Sequence, residues 1–249
     1  MENRKIRVAI THGDTNGIGY ELIFKTFAEP EMLELCTPII YGSPKIAAYH
    51  RKALDIQASF SIINKAEDAV DGRVNLLACF DEEVKVALGQ PTKESGASAL
   101  KALDQAMTDY NEALCSAENG WEMLYFANGD EQGYNLLCKF DKNGSVKFAA
   151  KNEFSSNNQY AEETSLFEMI ADNGPVLTFN TYNKLFHIFA DPNDIPSTGE
   201  DDETGFGHEG DYEFVVHEAT ADQIFLKGKK YGISIYLRKL PADLAWEDY

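Results

Sequence analysis

Basic residues are scarce in this 249-residue sequence: 22 Lys and Arg face 41 Asp and Glu, a formal charge of −19. That shortage argues against a surface that tracks nucleic-acid phosphates and against a binder of anionic membranes. Long apolar runs are absent as well. No stretch reaches the roughly 18–20 uninterrupted apolar residues that a membrane-crossing helix needs. The charged start leads into a strand rather than a secretory apolar segment, so a cytoplasmic location is expected. The four cysteines, Cys36, Cys79, Cys115 and Cys138, form no Cys-x-x-Cys pair. They read as reduced thiols filling a core, not as a zinc site. The glycines at 13, 17 and 19 do not have the spacing of the Gly-x-Gly-x-x-Gly fingerprint, and no Gly-x-Ser-x-Gly elbow is present. What remains is ordinary globular composition, 44% hydrophobic and 25% charged, with length for one large domain or two small ones.

Charge is unevenly spread: residues 1–113 hold 12 basic and 17 acidic side chains, residues 114–249 hold 10 and 24. The hydrophobic pattern changes near the same place. Short apolar runs at 6–11, 37–41, 60–64 and 74–79 alternate with helical spacing over 20–27 and 44–54. This is the grammar of a parallel sheet covered on both faces. A long helix is predicted over 95–117, with Leu100, Leu103, Met107, Tyr110 and Leu114 as its apolar stripe and Asn119-Gly120 as its stop. Ser95 and Ser98 read as helix-start residues.

Beyond Gly120 the period becomes two. Strands are predicted at 121–126, 134–140, 145–151, 166–170, 176–179, 185–189, 212–217, 223–227 and 233–238. Asn143-Gly144 offers positive backbone dihedrals for a tight hairpin turn. The reading is an antiparallel meander, closed as a barrel or folded as a sandwich. The Pro-, Gly- and acid-rich stretch 191–211 reads as a mobile loop. Two domains follow: an α/β part over 1–118 and an antiparallel β part over 119–249.

Chemistry is most concentrated in His12-Gly13-Asp14-Thr15-Asn16-Gly17-Ile18-Gly19-Tyr20-Glu21. A strand ends there, glycines allow close backbone approach, and a helix N-terminus follows with its free N–H groups. Asp14 could take a ribose hydroxyl or a cation; a tight turn with no ligand is the even alternative. Elsewhere, Asp191, Asp194, Glu200, Asp201, Asp202 and Glu203 could gather a hard cation, though they miss the EF-hand spacing and a solvated loop is the stronger reading. His208, Glu209 and Asp211 could ligate a metal or act as base and orienter, without a third ligand at fixed spacing. His187 reads as a half-buried strand residue. Trp121, Tyr125, Phe179, Tyr182, Phe186, Phe189 and Phe214 could line a small-molecule cavity, but fit a core better.

The run Val8-Ala9-Ile10-Thr11-His12-Gly13-Asp14, then Gly17-Ile18-Gly19-x-Glu21, resembles the opening of the 4-hydroxythreonine-4-phosphate dehydrogenase (PdxA) family. Pro38-Ile39-Ile40-Tyr41-Gly42-Ser43 and Ala99-Leu100-x-Ala102-Leu103 extend the likeness, which covers about residues 4–113. The resemblance implies an isocitrate/isopropylmalate dehydrogenase-like fold. It also implies NAD-dependent oxidation in pyridoxal phosphate synthesis with a divalent metal, and cofactor-side roles for Gly13, Asp14, Gly17, Gly19 and Glu21. The family's later metal-binding histidines have no counterpart here, so no catalytic or metal-binding residue is assigned. Residues 100–240 are similar to a family of bacterial cell-envelope lipoproteins of unknown function. Ala113–Trp121, Gly133-Tyr134-Asn135, Gly174-Pro175-Val176-Leu177, Thr181-Tyr182-Asn183 and Gly210-Asp211-Tyr212-Glu213-Phe214 carry that likeness, and it implies an envelope location.

The expectation is a truncated dehydrogenase of this type joined to a β domain and catalytically incomplete. The alternative is a non-catalytic β module that binds a small molecule or protein. A homodimer through the first part would hide the edge left by its missing strands.

Overall fold

The first four strands all run the same way. In a computed structural model describing residues 5–81, 84–127, 133–172, 174–191 and 208–249, β1 (Ile6–Thr11), β2 (Cys36–Gly42), β3 (Phe60–Ile63) and β4 (Val74–Ala78) form a parallel sheet of order β1-β2-β4-β3. Helices α1 (Gly19–Thr26), α2 (Pro30–Leu35) and α3 (Pro44–Ala53) make the crossovers. Both faces are buried, as continuous apolar strands require. Ile40, Val74 and Leu76 pack with Tyr20, Phe24 and Ile46 on one side. Ile39, Tyr41 and Leu77 pack with Ala102 and Ala106 on the other.

Pro30 stands at the first turn of α2, where its missing N–H costs nothing. One local expectation is corrected in this part. Helix α4 (Lys93–Leu114) starts two residues early, at a reciprocal cap. There the Ser95 amide donates to Thr92 Oγ1 (3.1 Å) and the Thr92 amide to Ser95 Oγ (3.2 Å). The helix meets the sheet with small residues, Ser98, Ala102 and Ala106. Leu100, from the expected apolar stripe, is 59% exposed.

The chain divides into two compact units, Met1–Asp109 and Tyr110–Tyr249, so the division falls inside α4. Among its described residues the second unit holds nine strands. They are β5 (Trp121–Phe126), β6 (Tyr134–Phe140), β7 (Ser145–Ala150), β8 (Ala161–Leu166), β9 (Glu168–Ala171), β10 (Pro175–Thr178), β11 (Glu213–Ala219), β12 (Gln223–Gly228) and β13 (Ser234–Lys239). Their order is β8-β7-β6-β5-β13-β12-β11-β10-β9, every pair antiparallel.

The two edge strands, β8 and β9, are separated only by Phe167. In a flat nine-stranded sheet, with neighbours ~4.8 Å apart, those edges would lie roughly 38 Å from each other. One residue spans only about 7 Å between its flanking Cα atoms. The sheet therefore curls until its edges meet. Burial alternates without a break from Ser165 (buried) through Leu166 (exposed), Phe167 (buried) and Glu168 (exposed), so β8 and β9 are halves of one bent strand. Its first half pairs with β7 and its second with β10. Counted so, eight strands run up and down, and the last, β13, closes on the first, β5. This is the barrel of the two architectures expected.

An eight-stranded barrel is just wide enough for its side chains to fill. Here Trp121, Tyr125, Phe140, Phe148, Phe179 and Phe214 point inward and are fully buried. The segment 185–189, expected as a strand, instead forms α6 (Lys184–His187) and a 3₁₀ turn (Ile188–Ala190). Asn183 caps it, its Oδ1 accepting from the Leu185 amide at 3.0 Å. Phe186 and Phe189 enter the same core. A short helix α5 (Glu153–Ser156) lies between β7 and β8. At the β6–β7 hairpin only Gly144 has a positive φ, +85°. The turn is therefore a longer loop ending in a left-handed glycine, not a two-residue mirror-image turn.

Candidate functional site

Open parallel sheets bind ligands beyond the carboxyl ends of their strands. In the first unit the loops leaving β1 and β2 there bring His12, Thr15, Asn16 and Ser43 to one end, with Tyr20 on α1 and His50 on α3 behind them. All six are buried. The His12 imidazole stacks on Tyr20, centroids 5.0 Å apart and planes 11° from parallel. Tyr20 also stacks with His50 at 5.1 Å and 26°. Phe80 closes on His12 edge-first at 6.0 Å.

Polar bonds order this cluster only in part. The Ser43 amide donates to Tyr20 Oη at 3.2 Å. His50 Nε2 lies 2.8 Å from the Thr15 carbonyl, which can only accept, so that nitrogen carries the proton. Thr15 Oγ1 and Ser43 Oγ meet no hydrogen-bond partner, and neither nitrogen of His12 makes a bond of good geometry, the Gly13 backbone being the polar group that acts on it. Burial pulls the His12 pKa down to about 4, with His50 acting in the same direction and the Gly13 backbone and Asp14 opposing. The imidazole is therefore neutral at pH 7. Burial raises the Tyr20 hydroxyl pKa and keeps it protonated.

The glycine-rich turn lies at the rim. Asp14 Oδ1 accepts from the Asn16 amide at 2.8 Å, and the Gly17 amide donates to the Asp14 carbonyl at 3.0 Å. Asn16 is the staple of the turn. Its Oδ1 accepts from the Ala87 amide (2.8 Å), its Nδ2 donates to the Gln90 carbonyl (2.8 Å), and its carbonyl accepts from the Gly89 amide (2.8 Å). The connection from β4 to α4 is thus pinned to the turn.

The expected cofactor-side residues separate by role. Gly13 and Asp14 are exposed together at the rim. Gly13 has φ +68°, and a Cβ there would meet no heavy atom within 4 Å. Gly17 sits close over the turn, 3.3 Å from Cβ position to the Asp14 carbonyl oxygen, and a Cβ on Gly19 would collide with the His12 carbonyl. Their identity is explained by packing. Glu21 turns to Lys25, one helical turn along α1. Sequence reasoning did not assign His12, Thr15, Asn16, Ser43 or His50 a site role. His12, Thr15 and Asn16 lie in the glycine-rich run and Ser43 ends the run Pro38–Ser43, while no motif marks His50.

Rim and cluster differ in what they fit. The open face at Gly13 and the exposed Asp14 carboxylate suit one hydroxylated edge of a dinucleotide. The implied divalent metal does not fit: among the described residues no three His, Cys, Asp or Glu side chains come together to hold one.

In the second unit, His208 is buried among the rings of Tyr134, Phe154 and Phe189, at 5.1–5.5 Å. Asp211 is occupied elsewhere, accepting from the Lys230 amide (2.8 Å) and the Tyr231 amide (3.0 Å). His187, on α6 and not on a strand, has Nε2 2.7 Å from the Phe179 carbonyl. Of the aromatics considered for a cavity, all but Tyr182 are core; Tyr182 is 56% exposed. Of the acidic stretch, Asp194, Glu200, Asp201, Asp202 and Glu203 lie outside the described residues, as does most of the expected mobile loop. No described helix is long and apolar enough to cross a membrane.

Comparison with known proteins gives the N-terminal part and residues 97–249 different relatives. A 4-hydroxythreonine-4-phosphate dehydrogenase of Bacteroides thetaiotaomicron is 60% identical over 114 residues, 46% of this chain and 31% of that protein. The crystal structure of such an enzyme from Burkholderia phymatum is 21% identical, with TM-score 0.38, covering 45% of this chain and 33% of that one. An uncharacterized protein from Bacteroides eggerthii is 18% identical with TM-score 0.28, covering 49% of this chain and 95% of that one. The chain spans about a third of the length of the dehydrogenases it matches. The N-terminal part thus matches these dehydrogenases over a partial stretch. The family described as Domain of unknown function (DUF4302) matches residues 97–249, more than half of the sequence, and the chain belongs to that family.

Proposed function

We propose that this chain is a non-catalytic binding protein, in which a dehydrogenase opening keeps its cofactor-side rim and a DUF4302 barrel follows it. The observation that carries this reading is the composition of the strand-end site. Gly13 and Asp14 offer an open, hydrogen-bonding rim, and these two residues would hold the cofactor edge. Bound NAD would supply a hydride acceptor. Alcohol oxidation also needs a group that takes the hydroxyl proton. The nearest imidazole, His12, is buried and has a pKa of about 4, too low to serve as an effective base near neutrality. The described residues gather no metal-holding set. Beyond residue 97 the chain follows a different family, which supports the catalytic incompleteness. Phe186 and Phe189 fill the barrel core, so any ligand of that part is assigned to its surface.

Calorimetric titration with NAD tests the rim, and NADH formation from phosphorylated hydroxythreonine with Mg²⁺, Mn²⁺ or Zn²⁺ tests the chemistry. Weak NAD binding, reduced in Asp14→Ala, and no NADH above background are expected. Absence of NAD binding overturns the rim assignment. Turnover overturns the non-catalytic reading.

A further inference from the structure

The deepest part of the strand-end cluster is also its least satisfied. His12 is 1% exposed and Thr15 and Ser43 are fully buried, yet neither imidazole nitrogen makes a bond of good geometry and both hydroxyls lack partners. Ser43 is the residue before α3, a position whose hydroxyl ordinarily caps the first turn, but its side chain makes no capping bond. His12 and Ser43 are brought close through Gly42: a Cβ there would lie 2.8 Å from His12 Cδ2 and would strike Tyr20 Oη. Buried polar groups are almost always hydrogen-bonded, to protein or to an ordered oxygen.

We propose that His12, Thr15 and Ser43 form a recognition site for an uncharged hydroxyl oxygen, set behind the Gly13–Asp14 rim. The chemistry of the unmade bonds selects that class. A neutral imidazole offers one donor and one acceptor, and each hydroxyl offers both. The best complement is an oxygen that donates and accepts in turn, as water and alcohols do. An anion would find no cationic side chain in the cluster and would stand near Asp14. A metal ion would find no carboxylate among these three residues. Burying either ion without a counter-charge is costly. Water and a hydroxyl of a polyol ligand share the required chemistry, and either source satisfies the site. This inference stands apart from NAD binding, since it rests on the buried atoms and not on the rim.

A high-resolution crystal structure of the full chain, free and soaked with D-ribose, reads the site directly. Nitrogen-15 NMR of the His12 imidazole, titrated with D-ribose and separately with inorganic phosphate, reads it in solution. An oxygen within hydrogen-bond distance of a His12 nitrogen and of Ser43 Oγ is expected. If it is unchanged by ribose, the source is water; if a ribose hydroxyl replaces it and shifts the His12 resonances, the source is a ligand. Ser43→Ala and the near-isosteric Thr15→Val should each weaken or remove that oxygen while the β1–β2 amide spectrum is retained. A dry cluster, His12 bonded instead to a protein group, or phosphate seated in the site overturns the proposal.

Discussion

The imidazole of His12 lies against the ring of Tyr20, 5.0 Å between centroids and 11° from parallel, with neither of its nitrogens in a bond of good geometry. The stack makes His12 part of the apolar core of the first unit, and that placement favours the neutral form. Burial lowers its pKa from 6.5 to about 4. Between those values the unfolded chain binds a proton that the folded unit refuses, so stability falls as pH falls. The full effect is roughly 3 kcal/mol, lost from about pH 6.5 down to about pH 4. Urea midpoints followed through the β1 and β2 amide signals should drop between pH 7 and pH 4.5. In His12→Phe most of that drop should vanish.

Gly13 and Gly19 lie in one turn but serve different needs. Gly19 has no room: a Cβ would enter the His12 carbonyl. Gly19→Ala must push backbone away from backbone, and a loss of about 3 kcal/mol or more, or failure of the first unit to fold, is expected. Gly13 has room but a left-handed backbone, φ +68°. Gly13→Ala should cost only about 1 kcal/mol, and Gly13→Asn less. Comparing the urea midpoints of the three variants checks the order; equal costs at the two positions would refute it.

Asn16 connects the turn to residues 87–90 through both ends of its amide. Asn16→Ala leaves the Ala87 amide and the Gln90 carbonyl without these partners, a penalty of about 2 kcal/mol. Asn16→Asp keeps an acceptor for Ala87 but cannot donate to Gln90. Amide exchange at Ala87 should quicken strongly in the alanine variant and much less in the aspartate variant. Identical exchange in both would show that the Asn16 amide is not the staple.

Where apolar residues follow the burial of an element, the fold was readable from them. The four apolar runs of the first part became the four parallel strands, and the change to a two-residue period at Trp121 marked the barrel. Errors arose where burial was not apolar or apolarity was not periodic. Helix α4 buries alanines, so the larger Leu100 pointed to the wrong face. Strand β8 buries Ser165 and keeps Glu162 outside, too weak an alternation to stand out. The run Leu185–Phe189 is apolar at most positions because a plug inside a barrel is surrounded. At the strand-end site, glycines drew attention because Gly13, Gly17 and Gly19 cluster within seven residues and look like a motif. The buried His12 and Ser43 depend on neighbours from α1 and β2, which no local spacing reveals.

Phe167 is the seam of the barrel, and its cost on removal distinguishes a closed barrel from an open sheet. The residue is 6% exposed and meets Phe140 edge-to-face at 4.9 Å, while its amide donates to the Gly144 carbonyl at 2.9 Å. Leu166, one position earlier, is 52% exposed. If the bent strand closes the barrel, Phe167→Ala leaves a cavity between β7 and β10 and should cost about 3–5 kcal/mol. Leu166→Ala, facing outward on the same strand, should stay within about 0.5 kcal/mol. Trp121 is fully buried in the same core, so its fluorescence during urea unfolding reports both variants. An open sheet would leave residues 166 and 167 on a loose edge, where both truncations would be mild. A large difference between the two neighbours is therefore the signature of closure at Phe167.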